Sequence, residues 1–339
     1  MTRATRGARL TRLSTLALVF AVPVLGLAAC GSDATEVTDP PAEQTAHPVV
    51  ALGQARSVLD AVESALQRGV DPKAASSSVD PRLTGPYREL AVADARIAAE
   101  RKTKVAEPAP VQQVRLIVPT TKSWPRFFVA VGTTSKTATP VIRVLISPTP
   151  RSPYGLWAEA LMLPGATLPE TAPAGTGSAL VAADADGLVA TPKEALSAFA
   201  GYLNAGTKST ASKQFQRSAF SDQLLQRLAG DQKALKAVAT VSSKHTVGSS
   251  EPLALRTADG GALVFGELKQ DYVITIKKGK GAVDVTDSDL AALAGGQKKI
   301  KKSLTRTAVE IVVLNVPPSG KGLITVIGAQ KGDVKAVIK

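Results

Sequence analysis

The sequence predicts an α+β fold. It reads as two modules, each of helices packed on a curved, mostly antiparallel sheet, after a signal peptide and a disordered tether. Three observations carry this. Apolar residues at helical spacing are followed by apolar residues at strand spacing, and this order occurs twice. Consecutive strands with no helix between them pair antiparallel. Residues 31–48 show neither period and are rich in proline and acid, a composition that stays disordered.

Arg3, Arg6, Arg9 and Arg12 precede an apolar run from Leu13 to Leu27, broken at Pro23 and Gly26 and closed by Ala28 and Ala29. The run is shorter than the roughly 20 residues that span a bilayer. Residues 1–29 therefore read as a cleaved signal peptide, using the general route since no twin-arginine pair is present. Cys30 follows directly and is the only cysteine, so no disulfide can form within the chain. Leu27-Ala28-Ala29-Cys30-Gly31 resembles the lipobox of bacterial lipoproteins. That resemblance implies a diacylglyceryl group on the Cys30 thiol, cleavage just before it, and a lipid-anchored protein on the extracytoplasmic face of the cell membrane. Two acyl chains suffice for stable anchoring where one does not. Residues 30–48 then form a tether, whose roughly 18 flexible residues reach about 20–25 Å.

In the first module, residues 49–190, Leu52, Ala55, Val58, Leu59, Val62 and Leu66 place one helix over Val50–Arg68. Pro86 opens a second, because proline suits the first helical turn. Val111–Val118, Arg126–Val131, Val141–Ile146 and Leu156–Leu163 read as strands, and Ala166–Ser178 as a long loop. Asp184-Ala185-Asp186-Gly187 predicts a hairpin turn between Ala179–Ala183 and Leu188–Ala190.

In the second module, residues 191–339, Thr191-Pro192-Lys193-Glu194 signals a helix start, with threonine as cap and glutamate three residues on. A further helix covers Phe220–Ala239. Strands are expected at Leu253–Thr257, Ala262–Phe265, Asp271–Lys277, Ala308–Val316, Gly322–Ile327 and Val334–Ile338. A short helix at Ser288–Ala294 is expected to be capped by Thr286 and stopped by Gly295-Gly296. Paired helices followed by a long antiparallel sheet resemble, in order of elements, the cystatin-like and nuclear-transport-factor-2-like cone. In the first module, Trp124-Pro125-Arg126, Pro153-Tyr154-Gly155-Leu156-Trp157 and Leu163-Pro164-Gly165-Ala166 look like motifs of an uncharacterised family of actinobacterial lipoproteins. The likeness spans most of the mature chain and implies compartment and architecture, not a reaction.

Chemistry is sparse. Ser319-Gly320-Lys321-Gly322 lacks the flanking residues of a phosphate loop and reads as a turn. Asp184 and Asp186 match only part of a calcium loop, which would need ligands where Ala182 and Lys193 stand. Two histidines and one lipidated cysteine furnish no structural zinc site. Lys244-His245-Thr246 puts the one histidine outside the tether in polar surroundings, where it reads as a surface residue. No Gly-x-Ser-x-Gly elbow accompanies it, so no catalytic group is nominated. No cofactor is expected beyond the diacylglyceryl lipid.

Charge is more informative. The chain carries 41 Lys and Arg against 28 Asp and Glu, net +13. Residues 31–190 are nearly balanced, at 15 against 16, whereas residues 191–339 carry 22 against 12. Lys277, Lys278 and Lys280 form one basic cluster, and Lys298, Lys299, Lys301 and Lys302 another. Each lysine near an anionic membrane contributes about 1 kcal/mol. Anionic lipid or wall polymer is the partner these clusters would suit, weighed against lysines that only keep strand edges and turns soluble, and the compartment argues against nucleic acid. Trp124, Tyr154 and Trp157 offer an aromatic ligand patch, weighed against a place in the core. The expected role is a non-catalytic binding or scaffolding protein of the cell envelope. The alternative is a hydrolase acting on an envelope substrate in a cone-shaped pocket.

Overall fold

Two helices followed by antiparallel strands occur twice in succession, so the chain is α+β, with five α-helices among the described residues and a large antiparallel sheet. The computed structural model describes residues 46–73, 79–105 and 108–339. Cys30 and the expected signal segment lie outside them. The first half comprises α1 (Leu52–Arg68), α2 (Gly85–Arg101), β1 (Val111–Ile117), β2 (Pro119–Thr120), β3 (Arg126–Thr134), β4 (Thr137–Ser147), β5 (Gly155–Met162) and β6 (Ser178–Ala179). The second comprises α3 (Pro192–Ala205), a 3-10 turn (Ala211–Gln214), α4 (Ala219–Leu235), β7 (Ala239–Val247), β8 (Leu253–Arg256) and β9 (Ala262–Ile276). It continues with β10 (Val283–Asp284), α5 (Ser288–Leu293), β11 (Lys299–Ile300), β12 (Ser303–Val316) and β13 (Thr325–Ile338).

Local signals act as expected at α3, where Thr191 Oγ1 accepts from Glu194 N at 3.2 Å and Glu194 Oε2 accepts from Thr191 N at 3.0 Å. Elsewhere the structure departs from the sequence reading. Asp287 rather than Thr286 caps α5, accepting from Asp289 N and Leu290 N. No hairpin forms around Asp184–Gly187. Leu180 instead bridges to Leu255 and Leu188 to Pro318, which lets Val181 and Leu188 cover the core beneath α3. The helix expected to run to Ala239 stops at Leu235, and a turn over residues 236–238 leads into β7 at Ala239. β9 and β13 are single long strands where two shorter ones were expected.

The strand order is β1-β3-β4-β5-β13-β12-β9-β7, with β8 paired to β9. Each half is thus a meander that ends at the middle of the sheet, where β5 and β13 pair antiparallel through Met162–Gly328 and Leu161–Ala329. Strands on the two sides of residue 190 share this sheet, and Gln44–Lys339 is one compact unit. The half-sheets also pack face to face. Phe127, Val129 and Ile142 of the first share a buried cluster with Leu263, Phe265 and Val309 of the second. The Phe127 and Phe265 rings meet edge-on with centroids 6.2 Å apart. α1 covers the other face of the first half-sheet, against Phe128, Ala130 and Leu145. α3 covers the other face of the second, against Val264, Leu268 and Val312.

Candidate functional site

The two lysine clusters, far apart in sequence, meet at one end of the second half-sheet. Ile276 N donates to Lys302 O at 2.8 Å, joining the end of β9 to the start of β12. Lys301 N and Lys302 N both donate to the carbonyl of the terminal Lys339, at 3.2 and 2.6 Å. Lys277, Lys278, Lys280, Lys298, Lys299, Lys301 and Lys302 are all exposed there. Among the described residues one ion pair engages them, Lys299 with Asp284 at 4.0 Å.

The three aromatic residues separate. Trp124 and Trp157 line one cavity of about 310 Å³, together with Phe127, Val181, Glu251 and Leu253. Trp157 is buried in the core between the half-sheets, while Trp124 remains 36% exposed with Arg126 stacked over its ring. Tyr154 turns to the opposite face, where its ring meets Phe128 and its hydroxyl donates to Val49 O at 3.1 Å. No joint patch exists because Tyr154 and Trp157 serve different cores.

The most concentrated chemistry lies on the helix-covered face of the second half-sheet, in residues the sequence reading did not nominate. His245 is 4% exposed, not a surface residue. β7 pairs it with Gln270 of β9, and β12 brings Glu310 within reach, opposite Lys331 of β13. His245 Nδ1 lies 2.9 Å from Glu310 Oε2, and His245 Nε2 lies 3.1 Å from Ser243 Oγ. Gln270 Nε2 donates to Ser243 Oγ at 2.9 Å and stands 3.3 Å from His245 Nε2. Lys331 Nζ donates to Gln270 Oε1 and sits 3.7 Å from Glu310 Oε1.

Those contacts determine the proton positions. An ammonium only donates, so Lys331 requires the Gln270 oxygen to face it and the Gln270 NH₂ to face Ser243 and His245. An NH₂ also only donates, so His245 Nε2 is the bare, accepting nitrogen. The ring proton is then on Nδ1 and is donated to Glu310. Glu310 is fully buried, and its Oε1 has no hydrogen-bond partner among the described residues. A buried carboxylate is costly unless paired, and here His245 and Lys331 supply the compensation. Burial pushes the Lys331 ammonium below the ordinary lysine value, against the pull of Glu310.

The same face carries Asp333, Arg306 and Tyr272 toward α4. Lys331, Asp333, Arg306, Arg227 and Phe220 line a cavity of about 340 Å³. Burial raises the Asp333 carboxyl above the usual range, against Arg306 and Lys331. Tyr272 donates to Asp231, and burial followed by that hydrogen bond raises its phenol. Among the described residues no helix is long and apolar enough to cross a membrane.

No curated protein and no solved structure matches the chain. A family model does match, over residues 46–337, and its description is a domain of unknown function. Its span begins where the described residues begin and takes in both helix pairs, both meanders and every group of the buried line. The chain accordingly belongs to the DUF8094 family.

Proposed function

We propose that the protein is a lipid-anchored, extracytoplasmic component of the cell envelope that binds anionic envelope material through its lysine-rich end. The reading rests above all on the convergence of the two lysine clusters at one end of the second half-sheet, where, of seven exposed lysines, Lys299 alone is in ion-pair range of an acid among the described residues. Leu27-Ala28-Ala29-Cys30, with its arginine-bearing apolar leader, supports the anchor and the compartment. The motifs around Trp124, Pro153 and Leu163 support placement among actinobacterial lipoproteins, and the twice-repeated order of elements supports a cone-like second half. Lysines at this density attract an anionic surface with about 1 kcal/mol each, an attraction that added salt screens.

Protein beginning at residue 31 should co-sediment with phosphatidylglycerol vesicles, and raising salt should release it. Lys298, Lys299, Lys301 and Lys302 changed together to Glu should weaken binding more than tenfold, given about 1.4 kcal/mol per tenfold. Binding that ignores salt or survives the four changes would sink the reading. In the producing cell, Cys30→Ser should abolish incorporation of labelled fatty acid. The hydrolase reading is favoured by a separate observation, the Ser243–His245–Glu310 line.

A further inference from the structure

We infer that Ser243 is a nucleophile for carboxylic esters, with His245 as its general base and Glu310 as the group that orients and charge-balances the imidazole. This rests on the geometry of the second half alone and is independent of the lysine-rich end.

Three observations carry it. The distances, 3.1 Å from Ser243 Oγ to His245 Nε2 and 2.9 Å from His245 Nδ1 to Glu310 Oε2, make a continuous line from hydroxyl to carboxylate. The tautomer is the one general-base catalysis needs: Lys331 orients Gln270, and Gln270 leaves Nε2 bare toward the hydroxyl. The third observation is where the serine opens. β7 is an edge strand, and alternate residues of such a strand turn their backbone groups away from the ladder. Asn204 of α3 caps both groups of His245, at 2.7 and 2.8 Å, and Gln232 of α4 caps Val241 O at 3.0 Å. Ser243 lies between them, so by the same period its N–H faces outward in the gap between the two caps. Ser243 is partly exposed while His245 and Glu310 are buried. An acyl group held at Ser243 Oγ meets that N–H as the donor for its oxyanion.

The step is ester hydrolysis. Ser243 Oγ bonds to the acyl carbon as its proton passes to His245 Nε2, and the alcohol departs with that proton. Water then attacks acyl-Ser243 and gives its proton to Nε2, which returns it to the serine oxygen as the carboxylic acid leaves. A single backbone donor suits esters, whose alcohol leaves readily, rather than amides.

The protein should therefore form a covalent adduct with a fluorophosphonate probe, located at Ser243 by peptide mass spectrometry, and should hydrolyse p-nitrophenyl acetate. Ser243→Ala removes a single oxygen and should abolish both. Glu310→Gln keeps the shape and should lower turnover at least tenfold, with a circular dichroism spectrum like that of the parent as the control for folding. If the folded protein takes no label at Ser243, or if ester turnover survives Ser243→Ala, the inference is overturned and the line serves only to close the sheet. Vesicle binding is measured separately, so either reading can fail alone.

Discussion

At the scale of single residues, the two halves solve one problem with opposite charges. On β4 and β5 the facing pair is Arg143–Glu159; on the corresponding strands β12 and β13 it is Glu310–Lys331. Arg143 is 2% exposed, donates to Glu159 at 2.6 Å and to Glu63, and so ties α1 to the sheet. Asp333 is the least comfortable member of the second cluster, because burial outweighs its cations and raises its carboxyl. A raised acid is favourable where it is protonated, below the ordinary value of 3.8, and that contribution is lost as pH rises through the higher folded value. Asparagine imitates the protonated form. Asp333→Asn should therefore melt above the parent at pH 7, with the difference closing as pH falls toward 3.8. A parent that melts higher at neutral pH in thermal unfolding would contradict this.

At the scale of elements, close approach explains one glycine. A Cβ on Gly266 of β9 would stand 2.3 Å from Leu196 Cδ1, so the buried Leu196 side chain of α3 occupies the space a side chain there would need. Gly266→Ala should push α3 away and cost about 1–3 kcal/mol, read as a lower denaturant midpoint with the m-value kept. A midpoint equal to the parent's would show that Leu196 gives way freely. β7 marks the limit of periodicity. Its inward positions run Ala239, Val241, Ser243, His245, Val247, and the two polar residues break the alternation that identifies a half-buried strand. Those residues are tolerated inside because their partners, Gln270 and Glu310, come from β9 and β12. Sequence spacing within β7 contains nothing about them. Where partners are local, as in the Thr191–Glu194 capping box, the same kind of reading succeeds.

At the scale of the molecule, the halves meet along β5–β13 and through the core between the half-sheets, and Arg101 of α2 also pairs with Asp289 of α5 at 2.5 Å. That core holds aromatic and aliphatic side chains from both, with Phe127 against Phe265 at its centre. Opening one half exposes the apolar face of the other. Calorimetry should consequently show one unfolding transition for residues 46–339, and two separated transitions would mean that the shared core contributes little to cooperativity.

By itself the sequence determined the α+β class, the helix-then-strand order repeated twice, and the excess of lysine in the second half, because period and composition are properties of neighbouring residues. The match to the family model added membership without a reaction. Only the tertiary structure decided that the lysine clusters share one end, that Trp124 and Trp157 part from Tyr154, and that Ser243, His245 and Glu310 form a line. Each depends on strand register and on which face a strand turns inward. Register is set by pairing between segments tens of residues apart, a fact of the folded chain that local spacing does not encode.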